Sequence, residues 1–210
     1  DAHDNADSPY RRYYYLDENG TYETFGNRVT GMPKLNWETG PIREEVSRIM
    51  HFWAGTGIYG WRLDVANEMP RTEWMTLRQE FPDAYWIGEI WHPAPDWVYD
   101  APYTGVMDYP LRALLLDGLI HGRLTPTELI DRILWHDLTY TTRQHQMNWS
   151  LLGSHDTPRG FSLANEARHR VDMAFVVQWG LATTPQMYYG DEIYHTGGTD
   201  PGCRTPSQCN

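Results

Sequence analysis

The sequence predicts an α/β fold, part of a (β/α)8 barrel, on three observations. Short β-prone runs alternate with helical patterns of ten residues or more from Gly40 onward, the signature of right-handed βαβ units and a parallel sheet. No GxGxxG, GxxxxGKS or GxxxxGKT segment occurs, although an open doubly wound sheet should carry such a phosphate loop after its first strand. Polar and acidic residues stand at or near the ends of several different strands, where a barrel gathers its chemistry.

The elements follow in order. RRYYYLDENGTYETF (11–25) sets Asn19-Gly20 between two β-prone runs, the strongest short-range hairpin signal. Asn19 also opens an NGT sequon, a match frequent by chance. In PIREEVSRIMHFW, Ile42, Val46, Ile49, Met50 and Trp53 fall at helical spacing, with Pro41 suited to the first helical position and Glu44 and Glu45 to the first turn. IYGWRLDVANEM (58–69) reads as a buried strand. A helix around Trp74, Leu77 and Phe81 comes next, then a strand in AYWIGEIW (84–91) and a short one in GVMDY (105–109). Helices are expected over 110–122 and 126–140, a strand in NWSLLGSHD (148–156), a helix over 169–181 and a last strand in PQMYYG (185–190). About five strands are thus present where a closed barrel has eight.

Composition narrows the function classes. With 40 % apolar and 14 % aromatic residues, the 210-residue chain can pack a sizeable core. A formal charge of −11 and a single lysine, Lys34, exclude a basic stripe for nucleic acid or anionic membrane. No apolar run reaches the ~18 residues of a membrane span, and the start has no signal-peptide pattern. Cys203 and Cys209 are too close together for a disulfide framework and lack the second pair of a zinc site.

Three strand ends carry the candidate chemistry. Alternation along a strand puts Arg62 and Asp64 on one side and Trp61, Leu63 and Val65 on the other; taken alone, Arg62 and Asp64 would more often be a buried pair that fixes register. Glu89 follows Ile87-Gly88 inside an apolar run, where burial favours the protonated form that a proton donor needs. Gly88 leaves room for a close approach, as by a ligand. At His155-Asp156, a Ser154-His155-Asp156 triad is excluded because consecutive strand residues face opposite ways, and a metal site lacks HExxH or paired-His spacing. Three carboxyls beside Trp61, Trp91, Trp97 and Tyr109 describe a sugar site: two carboxyls divide the roles of nucleophile and acid, and aromatic faces stack on pyranose rings. A cation at Arg62 would keep Asp64 ionised.

These residues resemble a known family. GWRLDVANE, IGEIW and LLGSHDTPR look like the second, third and fourth short motifs of the α-amylase family of retaining glycoside hydrolases, in the right order and at compatible spacings. MPKLN (32–36) and the VANE ending are similar to the neopullulanase, cyclomaltodextrinase and maltogenic amylase group. The resemblance implies an end of a loop domain over 1–39 and barrel strands of about 4 to 8 over 40–210. It implies that Asp64 is the nucleophile, Glu89 the acid/base and Asp156 the third carboxylate, with Arg62, His155, Glu68 and Trp91 binding substrate. The implied substrate is an α-1,4-glucan, cyclodextrin or pullulan, with transfer competing with hydrolysis and no cofactor required. Calcium is common in the family, but its ligands partly come from a region without a counterpart here, so no site is assigned. The group often dimerises through an amino-terminal domain and is often intracellular, which favours the cytoplasm slightly and leaves localisation open.

The family's first motif has no counterpart. The chain is therefore expected to begin after it, to leave parallel strand edges exposed and to be weakly stable by itself. Competing readings are an inactive amylase-like subunit that binds carbohydrate or serves as scaffold, and a metal-dependent barrel hydrolase. The first would be expected to have lost the carboxylates, and the second predicts reversible inhibition by chelators.

Overall fold

The computed structural model describes residues 5, 7–24 and 31–206. They fall into two compact units, one drawn from Asp1–Tyr59 and Glu68–Ala84, the other from Gly60–Asn67 and Tyr85–Asn210. Among the described residues no helix is long and apolar enough to cross a membrane.

In the first unit the expected hairpin forms. Leu16 bridges Tyr22, Tyr14 bridges Leu35 and Thr24 bridges Pro33, all antiparallel. Gly20 takes φ +78° in the turn, and the Asp17 carboxylate accepts from the N–H groups of Asn19 and Thr21 at 2.9 and 2.8 Å, which tightens the loop. MPKLN contributes Pro33 and Leu35 to these bridges. Helices α1 (Pro41–Ala54) and α2 (Arg71–Glu80) follow. Proline in the first turn of α1 sacrifices no hydrogen bond. The two helices meet through Arg43–Glu73 at 3.0 Å and through Glu80, which accepts from Ser47 Oγ at 2.5 Å and lies 3.0 Å from His51 Nε2. Trp37, just ahead of α1, packs on Trp74 with centroids 5.6 Å apart.

The second unit holds five parallel strands: β1 (Gly60–Leu63), β2 (Tyr85–Gly88), β3 (Gly105–Val106), β4 (Trp149–Leu151) and β5 (Thr184–Gln186). β1, β2 and β3 are adjacent in that order, and β4 pairs with β5. A parallel bridge between Met107 and Trp149 joins the two sets. Chain order equals spatial order, which is how strands follow one another around a barrel. Each strand is shorter than its apolar run. Asp64, Glu89 and His155-Asp156 lie past the strand ends, in connecting backbone.

Leu151, the last residue of β4, and Leu152, the next one, enter two different clusters, as alternation requires. Ile87, Met107, Tyr109 and Leu151 form one. Leu152 joins the other, with α3 (Tyr109–Leu115), a π turn (Leu116–Ile120), α4 (Pro126–Asp137) and α7 (Arg168–Gly180). The helix expected over 110–122 is therefore two pieces. At Gly118 in the π turn, a Cβ would stand 2.6 Å from Leu129 Cδ2, so the missing side chain admits α4 at close range. Two short helices carry no periodic signal and are absent from the sequence reading: α5 (Thr142–Met147), started by a Thr141–Gln144 capping box, and α6 (Gly160–Leu163).

Candidate active site

The register of β1 on β2 builds the first half of the site. Leu63 pairs with Gly88, so the next residues, Asp64 and Glu89, leave the sheet side by side. Backbone bonds extend the ladder past the strands: Glu89 N–H donates to Leu63 O at 2.9 Å and Ala66 N–H to Glu89 O at 3.2 Å. Between them Val65 takes φ +41°, a conformation strained for a β-branched residue. That turn aims the Val65 N–H at Glu89 Oε2, 2.9 Å away.

Glu89 is 3 % exposed, whereas the Asp64 side chain is 62 % exposed. Two carboxyls in such different surroundings are equipped for different roles. Glu89 Oε1 accepts from Trp91 Nε1 at 3.1 Å and lies 3.1 Å from Arg62 Nη2. Arg62 Nη1 donates to Asp64 Oδ1 in a short hydrogen bond. One guanidinium thus touches both acids, and the planar fork is suited to this because its nitrogens diverge at a fixed angle. Arg62 and Asp64 share a side, as the alternation predicts.

The second half comes from the turn after β4. His155 Nε2 lies 3.0 Å from Asp156 Oδ2, and Arg204 Nη2 donates to Asp156 Oδ1 at 2.9 Å. Neighbouring side chains can meet here because β4 ends at Leu151, which corrects the expectation that strand alternation separates them. A serine triad is still not formed. Ser154 Oγ accepts from Tyr109 OH and from the Asp156 N–H, each at 3.2 Å. The loop near Cys203 holds the turn from below: Cys203 Sγ and Arg204 Nε contact His155 O at 2.9 and 3.0 Å. Cys209 lies outside the described residues. Arg159, fully buried, binds Cys203 O at 2.9 Å and Asp191 Oδ1 at 3.1 Å and so anchors the same loop.

Tyr109 joins the halves. Its ring stacks on Trp91, centroids 3.7 Å apart and planes at 9°. Burial raises its pKa, and the nearby charges of Glu89 and Asp156 raise it further, against the Ser154 hydrogen bond and Arg62, which lower it. Trp91 is half exposed beside these carboxyls. Of the other expected aromatics, Trp61 packs edge-on against the fully buried Trp86 and Trp97 stacks on the buried Tyr103. Gly88 also differs from expectation. Its absent Cβ would lie 2.8 Å from the Tyr103 ring, so the space is filled by the protein rather than by a ligand. Glu68, exposed at the end of the 3-10 turn Ala66–Glu68, is grouped with the first unit.

Sequence reasoning missed Arg204, which sits in an irregular loop with no periodicity and touches Asp156 only through folding. It also missed Asp108, His136 and His145, the one group of histidine and acid side chains among the described residues with ligand atoms close enough to share a metal ion.

The chain matches the family described as "Alpha amylase, catalytic domain" over residues 13–84 and 71–205. It is 35 % identical to Neopullulanase 2 of Thermoactinomyces vulgaris over 212 residues, covering 95 % of this chain and 36 % of that protein. Its identity to a cyclomaltodextrinase of a Bacillus species is 38 % over 190 residues, covering 88 % and 34 %. A cyclic α-maltosyl-(1→6)-maltose hydrolase from Arthrobacter globiformis, solved with maltose, superposes with TM-score 0.89 at 27 % identity, covering 99 % of this chain and 50 % of that one. The chain spans about a third of the length of these curated relatives.

Proposed function

The chain belongs to the α-amylase catalytic-domain family, and from that premise we propose that the protein carrying it is a retaining glycoside hydrolase. Its substrates are α-1,4-linked glucans of the starch, cyclodextrin or pullulan type, with a second sugar competing with water as acceptor. The carrying observation is the single Arg62 guanidinium on both Asp64 and Glu89, since retention needs two carboxyls only about 5–5.5 Å apart.

Protonated Glu89 donates to the glycosidic oxygen as the bond to the anomeric carbon breaks, and Asp64 attacks that carbon from the opposite face. Glu89, now ionised, takes a proton from water or a sugar hydroxyl, which displaces Asp64 and restores both groups. Asp156, held by His155 and Arg204, accepts hydrogen bonds from ring hydroxyls and steadies the positive charge that develops on the sugar. Trp91, stacked on Tyr109, offers its exposed face to a pyranose ring, and Glu68 contributes near the acceptor. The five strands correspond to about strands 4 to 8 of the barrel. The two-carboxylate chemistry calls on no cofactor; calcium in the full-length protein would be structural.

Asp64→Asn in the full-length protein is expected to reduce cyclodextrin and α-1,4-glucan cleavage to background, and turnover at the unsubstituted rate would refute the assignment. Proton NMR of fresh product distinguishes the stereochemistry: α-anomer first supports retention, β-anomer first refutes it.

A further inference from the structure

Outside the carboxylate site, the most unusual chemistry sits where β3 runs into α3. Asp108 is fully buried there, and His136 of α4 and His145 of α5 are 8 % and 7 % exposed. One ligand atom from each lies within 4.8 Å of the other two. Part of the cluster is satisfied within itself: Asp108 Oδ1 accepts the Leu111 N–H at 3.0 Å, and His136 Nε2 lies 2.8 Å from Asp108 Oδ2. His145 is not. Its Nε2 faces Asp137 Oδ1 at 3.2 Å, while its Nδ1 is buried with no hydrogen-bond partner. A proton on Nε2, toward the carboxylate, leaves Nδ1 as a bare lone pair in a dry setting, which costs free energy unless something electrophilic meets it.

We propose that Asp108, His136 and His145 form a binding site for a divalent ion of the zinc class. Two imidazoles and one carboxylate suit zinc's preference for nitrogen and oxygen donors, and zinc accepts three protein ligands with water as the fourth. Metal–ligand distances of ~2.0–2.2 Å ask the Asp108–His136 contact to open slightly and His145 to close on it. Asp137 Oδ1 stands 3.2 Å from His145 Nε2 without a formed hydrogen bond, and a small turn of the ring would give the carboxylate contact that ligating histidines typically make through their second nitrogen. The three ligands come from the end of β3 and from two successive helices, so an ion would tie those elements together. Asp108 also precedes Tyr109, so the ion would brace the aromatic wall without taking part in sugar chemistry.

The competing account is a metal-free polar network that orders the same junction. The full protein, stripped with chelator and dialysed, would be titrated with zinc chloride by calorimetry. Its metal content would be measured by mass spectrometry and its Tm followed with and without zinc. Expected are one zinc per chain and a Tm that rises with zinc. Asp137→Asn, which keeps all three ligands, should weaken zinc binding about 10- to 100-fold, and His145→Gln should abolish it. Absence of bound zinc, a Tm indifferent to zinc, or undiminished binding in His145→Gln would each overturn the proposal.

Discussion

At Val65 a β-branched residue holds φ +41° so that its N–H meets Glu89. Glycine there keeps the N–H and removes the strain, which is worth about 1–3 kcal/mol against ~0.5–1 kcal/mol of added chain entropy. Val65→Gly is therefore expected to be neutral or stabilising in urea unfolding, and a loss above about 2 kcal/mol would show that the backbone there is not strained. Arg62 carries the opposite expectation. Arg62→Gln strips the cation from an almost fully buried Glu89, and unfolding should become easier by roughly 1–3 kcal/mol, less than for a fully buried pair because Arg62 is about a quarter exposed. Activity should fall with it. The carboxylates were legible as residues because a charge in an apolar run is conspicuous. Arg204 was not, since nothing local marks an arginine in an irregular loop as the partner of Asp156 48 positions away.

Strand packing sets the next level, and two glycines show it. A Cβ on Gly60 would stand 2.2 Å from Tyr85 O, and one on Gly105 2.2 Å from Met147 O. Both obstacles are backbone and cannot rotate away. Gly60→Ala and Gly105→Ala should each cost at least the ~1–3 kcal/mol of an overpacked core, seen as a lower urea midpoint. Gly160→Ala serves as the control, because nothing lies within 4 Å of its Cβ and it sits in α6; it is expected to be neutral or mildly stabilising. Strand order and the longer helices were readable from periodicity. The strand lengths were not, because the apolar runs continue past the ladder into turns such as Asp64-Val65, where burial persists after pairing stops. The short α5 begins on a Thr141–Gln144 capping box rather than on any apolar repeat.

For the molecule as a whole, buried tyrosines tie stability to alkaline pH. Burial pushes Tyr140 up to about 12, while its hydroxyl accepts the Ala94 N–H, which favours the ionised form but only partly offsets burial. Tyr103 and Tyr109 are raised for the same first reason. A pKa higher in the folded state than the unfolded value near 10 contributes stability that is intact below about pH 10 and is lost as pH rises toward about 12. Unfolding followed by tyrosinate absorbance should thus steepen over that window, and Tyr140→Phe should flatten part of it; a window unchanged in that variant would remove Tyr140 from the account. By itself the sequence determined the alternation of strands and helices, the family resemblance and the three acids at strand ends, since periodicity and short motifs are local. Only the tertiary structure decided that Arg62 also reaches Glu89, that Arg204 serves Asp156, that Tyr103 fills the gap beside Gly88, and that Asp108, His136 and His145 meet. Those facts depend on the register between elements far apart in the chain, and register is set by packing that no short window of sequence contains.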